Sequence, residues 1–160
     1  MALTYNLELD SDVDFTPLTA LRPYVLIAAS HPFAKREKIQ LEELVDENLI
    51  LLDLPLSREY FMSLFQGRGL KPKVYASTRQ TDVLRSLVAK GYGYSIANVR
   101  PKNQLSLDGG ELVYLPLSGN YPSLTLGTVT LKNLHKTRSV STLIQYCIDK
   151  VNAQAVPGFT

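Results

Sequence analysis

The sequence contains very few of the residues that build disulfides and metal sites. Its 160 residues include one cysteine, Cys147, and two histidines, His31 and His135, which are far apart. A single cysteine excludes an intramolecular disulfide, and isolated histidines do not form a metal cluster. We therefore expect a protein of a reducing compartment that carries no metal and no other cofactor.

The sequence also lacks a strong charge and a long apolar run. Its 17 basic and 15 acidic side chains give a net charge of +2, which does not predict a nucleic-acid or membrane surface. No run approaches the roughly 18 apolar residues of a spanning helix, and residues 1–10 do not have the pattern of a signal peptide. We predict a cytoplasmic protein without a membrane partner. The apolar content of 45% suits one domain or two small lobes.

Motifs of the common enzyme classes are missing as well. There is no G-x-S-x-G, P-loop, dinucleotide glycine fingerprint, HExxH or Cys-x-x-Cys pattern. Gly91 and Gly93 close a predicted helix instead of opening one, and His31 before Pro32 is typical of a turn after a strand. Cys147 lies on an apolar helical stripe, which indicates a core residue. We therefore do not predict an enzyme.

The most informative segment is residues 74–98, which have the pattern strand, polar turn, helix, glycine stop, strand. An apolar stripe at helical spacing predicts that the helix packs on a sheet; the stripe consists of Val83, Leu84, Leu87 and Val88. Gly91 follows it, where a left-handed C-cap is expected. The helix begins among residues that offer side-chain and backbone donors, as anion sites of α/β proteins do: Thr78, Arg79, Gln80 and Thr81.

A second strand-to-helix junction precedes this segment. Residues 49–52 form an apolar run that predicts a buried strand. Ser57 is a good N-cap for a helix that ends at Gly67 or Gly69 and has an apolar side formed by Tyr60, Phe61, Leu64 and Phe65. At the N-terminus of this helix, Ser57 is either a cap or a ligand contact, and Arg58 is either a solvated surface residue or a ligand contact.

The order of these elements predicts where a ligand binds. Strands that alternate with helices predict a mostly parallel sheet, in which the two junctions reach the same edge. That edge offers neutral donors and cations, which together suit a small anion and in particular a carboxylate.

The remaining segments complete the predicted elements. Residues 2–5 have the pattern of the end of a buried strand, residues 24–29 that of a strand buried on both faces, and residues 111–115 that of a short strand. Residues 124–131 alternate apolar and polar side chains, which predicts a strand with one solvated face. From Thr137 onward, an apolar stripe predicts a final amphipathic helix.

Several of these segments, in this order and spacing, resemble the effector-binding domain of LysR-type transcriptional regulators. No single one is specific, but together they extend over most of the chain. They are His31-Pro-Phe-Ala, Leu41-Glu-Glu-Leu followed by Leu49-Ile-Leu-Leu, Leu52-Asp-Leu-Pro-Leu-Ser-Arg-Glu-Tyr-Phe, and Leu84-Arg-Ser-Leu-Val-Ala-Lys-Gly-Tyr-Gly.

The resemblance implies an α/β fold like that of type 2 periplasmic binding proteins, with Rossmann-like lobes joined by two crossing hinge strands and an inducer bound between them. Residues 22–118 would form a complete lobe with the first hinge strand. Residues 1–21 and 119–153 would be parts of the other lobe with the return hinge strand, and 154–160 a tail. Family members contact effectors at positions that match Thr78, Gln80, Thr81 and Tyr5, and the loop that contains Ser57 and Arg58 faces the cleft.

The implied function is effector sensing: the domain binds a small, carboxylate-bearing metabolite and controls transcription. The sequence lacks the winged helix-turn-helix and the first strands and helices of the family, so we expect an N-terminally truncated domain that reaches DNA only through the missing part. Strands left without neighbours at 2–5 and in the return strand would favour a homo-oligomer. The alternative is a solute-binding receptor of a transport system, which shares the fold.

Overall fold

The computed structural model describes residues 1–133 and 135–155, so residues 156–160 of the predicted tail lie outside the described residues. The described part contains eight strands, β1 Ala2–Tyr5, β2 Val13–Leu21, β3 Tyr24–Ala28, β4 Asn48–Leu52, β5 Lys73–Thr78, β6 Ser95–Ala97, β7 Leu112–Pro116 and β8 Leu124–Leu131. Its α-helices are α1 Pro55–Gln66, α2 Thr81–Ala89 and α3 Arg138–Asn152, and short 3-10 helices occupy Pro32–Lys35 and Leu41–Leu44.

The contacts within the chain define two compact units. Unit 1 consists of Met1–Arg22, Val99–Lys102 and the residues from Ser123 onward. Unit 2 consists of Pro23–Asn98 and Asn103–Pro122. Unit 1 therefore contains strands β1, β2 and β8 with helix α3, and unit 2 contains the other strands with α1 and α2, so the chain passes between the units several times.

Unit 2 has a sheet of mixed direction. Strand β3 pairs antiparallel with β6 on one side and β7 on the other, whereas β4 and β5 pair in parallel. A parallel bridge between Leu49 and Tyr94 joins β4 to the start of β6. The prediction of a mostly parallel sheet is wrong because the connections from β3 to β4 and from β6 to β7 contain no α-helix, so the crossover rule does not govern them.

The strands and helices of unit 2 bury apolar side chains largely where the sequence predicts them. Strands β3 and β4 are buried along most of their length, as their continuous apolar runs predict. Helix α1 buries the four predicted residues, Tyr60, Phe61, Leu64 and Phe65. In α2 the predicted residues Leu84 and Val88 are buried, but Val83 is 43% exposed and Arg85 takes a place in the interior instead. Leu87 is partly buried and packs against the same core, so the predicted stripe is correct at Leu84, Leu87 and Val88 and wrong at Val83.

The end of α2 matches the predicted glycine stop. Gly91 has φ +78°, its N–H donates to Val88 O at 2.9 Å, and Tyr92 N–H donates to Leu87 O at 3.2 Å. These two bonds form the Schellman motif, which only a residue with positive φ completes without strain. At the start of α1 the prediction is wrong: the helix begins at Pro55 after Leu54, so Ser57 lies within its first turn and is not the N-cap.

Unit 1 contains a three-stranded antiparallel sheet in the order β1, β8, β2. Strand β1 lies at an edge, as predicted, but β8 pairs on both sides, so the predicted unpaired edge of the return strand is wrong. The predicted burial is also wrong. Leu3 is 56% exposed in β1, whereas in β8 the polar residues Thr128 and Thr130 are buried and Leu131 is 52% exposed.

Helix α3 begins after Thr137, whose hydroxyl accepts a hydrogen bond from Val140 N–H at 3.4 Å. This confirms the predicted final helix. None of its residues is fully buried, however, and Leu143 is 48% exposed. Cys147 is half-buried, so the prediction of a core cysteine is wrong.

Candidate binding site at two helix N-termini

The two predicted junctions lie side by side in unit 2. Leu52 at the end of β4 is the register partner of Thr78 at the end of β5, and Asp53 N–H donates to Thr78 O at 2.8 Å. Helices α1 and α2 start directly after these strand ends. Both helix N-termini are therefore held at the same edge of the sheet, which confirms that part of the prediction.

At the α2 junction, a local hydrogen bond shapes the turn. Gln80 N–H donates to Thr78 Oγ1 at 3.1 Å, and the helix starts at Thr81. Because the Thr78 hydroxyl accepts in this bond, its own proton remains available for a ligand. The first N–H of α2 that reaches an intrahelical acceptor is that of Leu84, which donates to Gln80 O at 3.1 Å. The earlier N–H groups of the helix are donors for an anion.

The side chains of Gln80 and Thr81 are exposed, so both can meet a ligand from solvent. Asp82 also lies in this first turn. The helix dipole stabilises its carboxylate at this position, but the same carboxylate would repel an anion bound nearby. Arg79 lies two residues before the helix start in the sequence and carries a positive charge, opposite to that of Asp82.

At the α1 junction, the predicted cation already has a partner that the sequence did not suggest. Arg58 Nη1 donates to Asp53 Oδ1 at 3.0 Å, and the two side chains are 51% and 34% exposed. Exposed ion pairs of this kind contribute little to stability. Arg58 can therefore exchange Asp53 for another carboxylate at low cost.

Ser57 lies one residue before Arg58, in the first turn of α1, and is half-buried. Pro55 at the start of the helix has no N–H, so α1 offers fewer free backbone donors than α2. The α2 junction is thus the stronger of the two for binding an anion through the backbone.

Tyr5 belongs to unit 1, where it ends β1 opposite Leu126 of β8. It is half-buried, and loss of solvent raises the pKa of its phenol above the ordinary value. Tyr5 therefore stays protonated at neutral pH and can donate a hydrogen bond.

Two polar residues behind the helix N-termini are buried, and sequence reasoning missed both of their roles. Tyr60 in α1 is 7% exposed and Arg85 in α2 is 6% exposed. The signal was present for Arg85, since it lies between Leu84 and Val88 on the inner side of the helix. For Tyr60, burial was predicted but the partners of its hydroxyl were not.

In residues 1–133 and 135–155 we find no group of three or more histidine, cysteine, aspartate or glutamate side chains that could hold a metal ion. Across the same residues, no helix has the length and apolar character needed to cross a membrane.

Comparisons with known proteins give the family. A model of the LysR substrate binding domain matches residues 1–152. The HTH-type transcriptional regulator TtuA of Agrobacterium vitis is 30% identical over 120 residues, which are 73% of this chain and 36% of TtuA. The regulator BenM of Acinetobacter baylyi is 26% identical over 85% of this chain and 45% of its own length. The chain thus spans less than half the length of these relatives.

Solved structures give the same answer. HinK, a LysR family transcriptional regulator from Pseudomonas aeruginosa, superposes with a TM-score of 0.89 at 32% identity, over 93% of this chain and 52% of HinK. The BenM effector binding domain, solved with its effector benzoate, superposes with a TM-score of 0.77 at 25% identity, over 99% of this chain and 70% of that chain. The expected type 2 periplasmic-binding-protein-like α/β fold is therefore confirmed, and the chain belongs to the LysR substrate binding domain family.

Proposed function

We propose that this chain is the effector-sensing domain of a LysR-type transcriptional regulator and that it binds a small, carboxylate-bearing metabolite. The observation that carries the proposal is the placement of two helix N-termini, with their hydroxyl and guanidinium groups, at one edge of the unit 2 sheet. The regulator acts in the cytoplasm and reaches DNA through a helix-turn-helix domain outside this sequence. The domain itself binds its metabolite without converting it, so it is not an enzyme.

Recognition of the carboxylate uses both helix starts. The Thr78 hydroxyl and the free N–H groups at Thr81 and beyond donate to one oxygen, as helix N-termini do for anions. Arg58 releases Asp53 and donates to the ligand, because a charge-assisted bond to a bound carboxylate replaces the one it loses. Gln80 and Ser57 supply further neutral donors. Tyr5 is a further candidate contact, supported by the family resemblance and by its protonated phenol.

Isothermal titration calorimetry tests the proposal with a set of aromatic, hydroxy and keto carboxylates. The set begins with benzoate and shikimate, which the neighbours BenM and QuiR bind in their solved structures. The double variant Thr78→Val and Thr81→Val should lose binding while it remains folded. Thr142→Val, on the exposed side of α3, is the matched control and should bind normally. Equal affinity in the double variant and the control would refute the site.

The ion pair at α1 gives a second test with opposite signs. Asp53→Asn should strengthen carboxylate binding by about 2- to 5-fold, since exposed ion pairs of this kind are worth up to roughly 1 kcal/mol. Arg58→Gln should weaken it by at least as much. Weaker binding in the Asp53 variant would contradict the competition between Asp53 and the ligand.

We also propose that the chain self-associates through the edge of unit 1. Within the described ranges, no strand pairs with the outer edge of β1, and Leu3 there is 56% exposed. Such an edge is a template for another strand. Light scattering should give a mass above 17.8 kDa at high concentration. Leu3→Lys should lower that mass, and a strict monomer in the parent chain would refute this proposal.

A further inference from the structure

The chain passes between the two units at four places. The crossings lie between Arg22 and Pro23, between Asn98 and Val99, between Lys102 and Asn103, and between Pro122 and Ser123. Any change that an effector makes in unit 2 reaches unit 1 along the covalent chain at these four crossings. A side chain that holds them therefore has a direct means of transmitting the change.

Tyr60 forms hydrogen bonds to the unit 2 residues that flank two of the four crossings. Its hydroxyl donates to Pro122 O at 2.7 Å and accepts from Asn98 Nδ2 at 3.2 Å. Pro122 and Asn98 are the last residues of unit 2 before two of the crossings. Tyr60 is in α1, one turn after Ser57, so a shift of the α1 N-terminus moves the hydroxyl that binds both Pro122 and Asn98.

Arg85 contacts a third crossing directly and reaches the fourth through the side chain of Tyr114. Its Nη2 donates to Asn103 O and to Leu105 O, each at 2.8 Å, and Asn103 is the first residue of unit 2 after its crossing. Its Nη1 donates to the Tyr114 hydroxyl. The Tyr114 ring meets Tyr24 edge-on, with centroids 5.1 Å apart and an interplanar angle of 73°, and Tyr24 is the second residue of unit 2 after the first crossing.

Stability alone does not explain Arg85. A guanidinium that is 6% exposed and bound to two carbonyls and a phenol costs more to bury than an apolar side chain on the same helical stripe. What the arginine adds is directional: it connects one helix to two distant segments through defined hydrogen bonds. It is also one turn after Thr81, as Tyr60 is one turn after the α1 junction.

We propose that Tyr60 and Arg85 are positioning residues that couple the N-termini of α1 and α2 to the four crossings, so that each helix controls two of them. The proposal rests on the proposed function, in that the effector is what moves the helix starts.

Hydrogen–deuterium exchange with mass spectrometry tests the coupling in the ligand-free chain. Thr78→Val removes the acceptor for Gln80 N–H and so perturbs the α2 junction directly. We expect exchange in peptides that cover 99–105 to change by about 2- to 30-fold, the range of typical coupling mutations. In an Arg85→Met background, the same substitution should change exchange there no further. Arg85→Lys keeps the charge but not the planar set of donors. In this background Thr78→Val should change exchange in peptides 99–105 by less than in the parent chain, and this variant replaces Arg85→Met if the latter does not fold.

The second helix is tested in the same way. Asp53→Asn perturbs the α1 junction, and exchange in peptides around Asn98 and Pro122 should respond in the parent chain but not in a Tyr60→Phe background. Tyr94→Phe, a buried tyrosine elsewhere in unit 2, is the matched control and should leave transmission intact.

A purely structural role for Tyr60 and Arg85 gives a different result. In that case the junction substitutions change exchange at the crossings by the same factor with or without these variants, which overturns the proposal. It is equally overturned if the junction substitutions leave the crossings unchanged in the parent chain. Because no ligand is present, a lack of carboxylate binding in calorimetry refutes the proposed function without deciding this one.

Discussion

Replacing Tyr94 with phenylalanine should stabilise the protein, although Tyr94 is among its most deeply buried side chains. Its exposed fraction is 0%, and its hydroxyl has no hydrogen-bond partner within the described residues. An unsatisfied buried hydroxyl costs about 1–3 kcal/mol of desolvation. Phenylalanine keeps the ring and removes the oxygen, so we expect a gain of about 1 kcal/mol in the free energy of unfolding, the lower end of that range.

The same substitution at Tyr60 should have the opposite sign. The Tyr60 hydroxyl donates to Pro122 O and accepts from Asn98 Nδ2. Phenylalanine removes both bonds and leaves the Pro122 carbonyl without this donor, which costs about 1–3 kcal/mol. Tyr60 and Tyr94 are both in unit 2 and both less than a tenth exposed, so the pair is a matched comparison.

Equilibrium unfolding in urea measures both variants. The midpoint should rise for Tyr94→Phe and fall for Tyr60→Phe, with the slope of the transition unchanged, and the two free energies should differ by about 2–4 kcal/mol. A loss of stability in Tyr94→Phe as large as that in Tyr60→Phe would refute the reasoning, because it would show that the Tyr94 hydroxyl is satisfied.

Three further predictions concern backbone packing and pH. Gly93→Ala should lower the free energy of unfolding by about 1–3 kcal/mol or more, because the new Cβ would lie 2.1 Å from a carbonyl oxygen at the start of β4. Gly67→Ala should be tolerated, since its Cβ would lie 3.3 Å from the nearest atom. Unfolding in urea compares the two variants. Burial raises the pKa of Tyr94, so above about pH 10 the phenol ionises more readily in the unfolded chain than in the folded one. The free energy of unfolding should therefore fall as pH rises above about 10. This fall, measured by circular dichroism, should be less steep in Tyr94→Phe. The hydrogen bond from Lys90 holds the pKa of Asp108 well below its usual range, so this contribution is present above about pH 4 and is lost below it, and Asp108→Asn should flatten the acid limb of the same curve.

The local sequence was sufficient where one short segment decides the structure. The apolar runs of β3 and β4 predicted buried strands, and Gly91 marked the end of α2 because only a left-handed residue completes that cap. The joint position of the α1 and α2 junctions followed from the parallel pairing of β4 with β5. The roles of the site residues stay predictions, since no ligand contact has been observed.

What the sequence could not predict depends on residues distant along the chain. Arg85 is interior because carbonyls at 103 and 105 and a phenol at 114 surround its guanidinium. Alternation in β8 identified two faces, but not that the one with Thr128 and Thr130 is buried, since the neighbouring strands decide that.

The arrangement of the two units along the chain has a consequence for the order of folding. Unit 2 is nearly contiguous between residues 23 and 122, whereas the unit 1 sheet requires residue 2 to pair with residue 129. Closing so long a loop costs entropy before any contact compensates for it, so unit 2 should form first and unit 1 later. We expect β1 and β8 to be the first strands to unfold in mild denaturant, and unit 2 to be the part from which refolding starts.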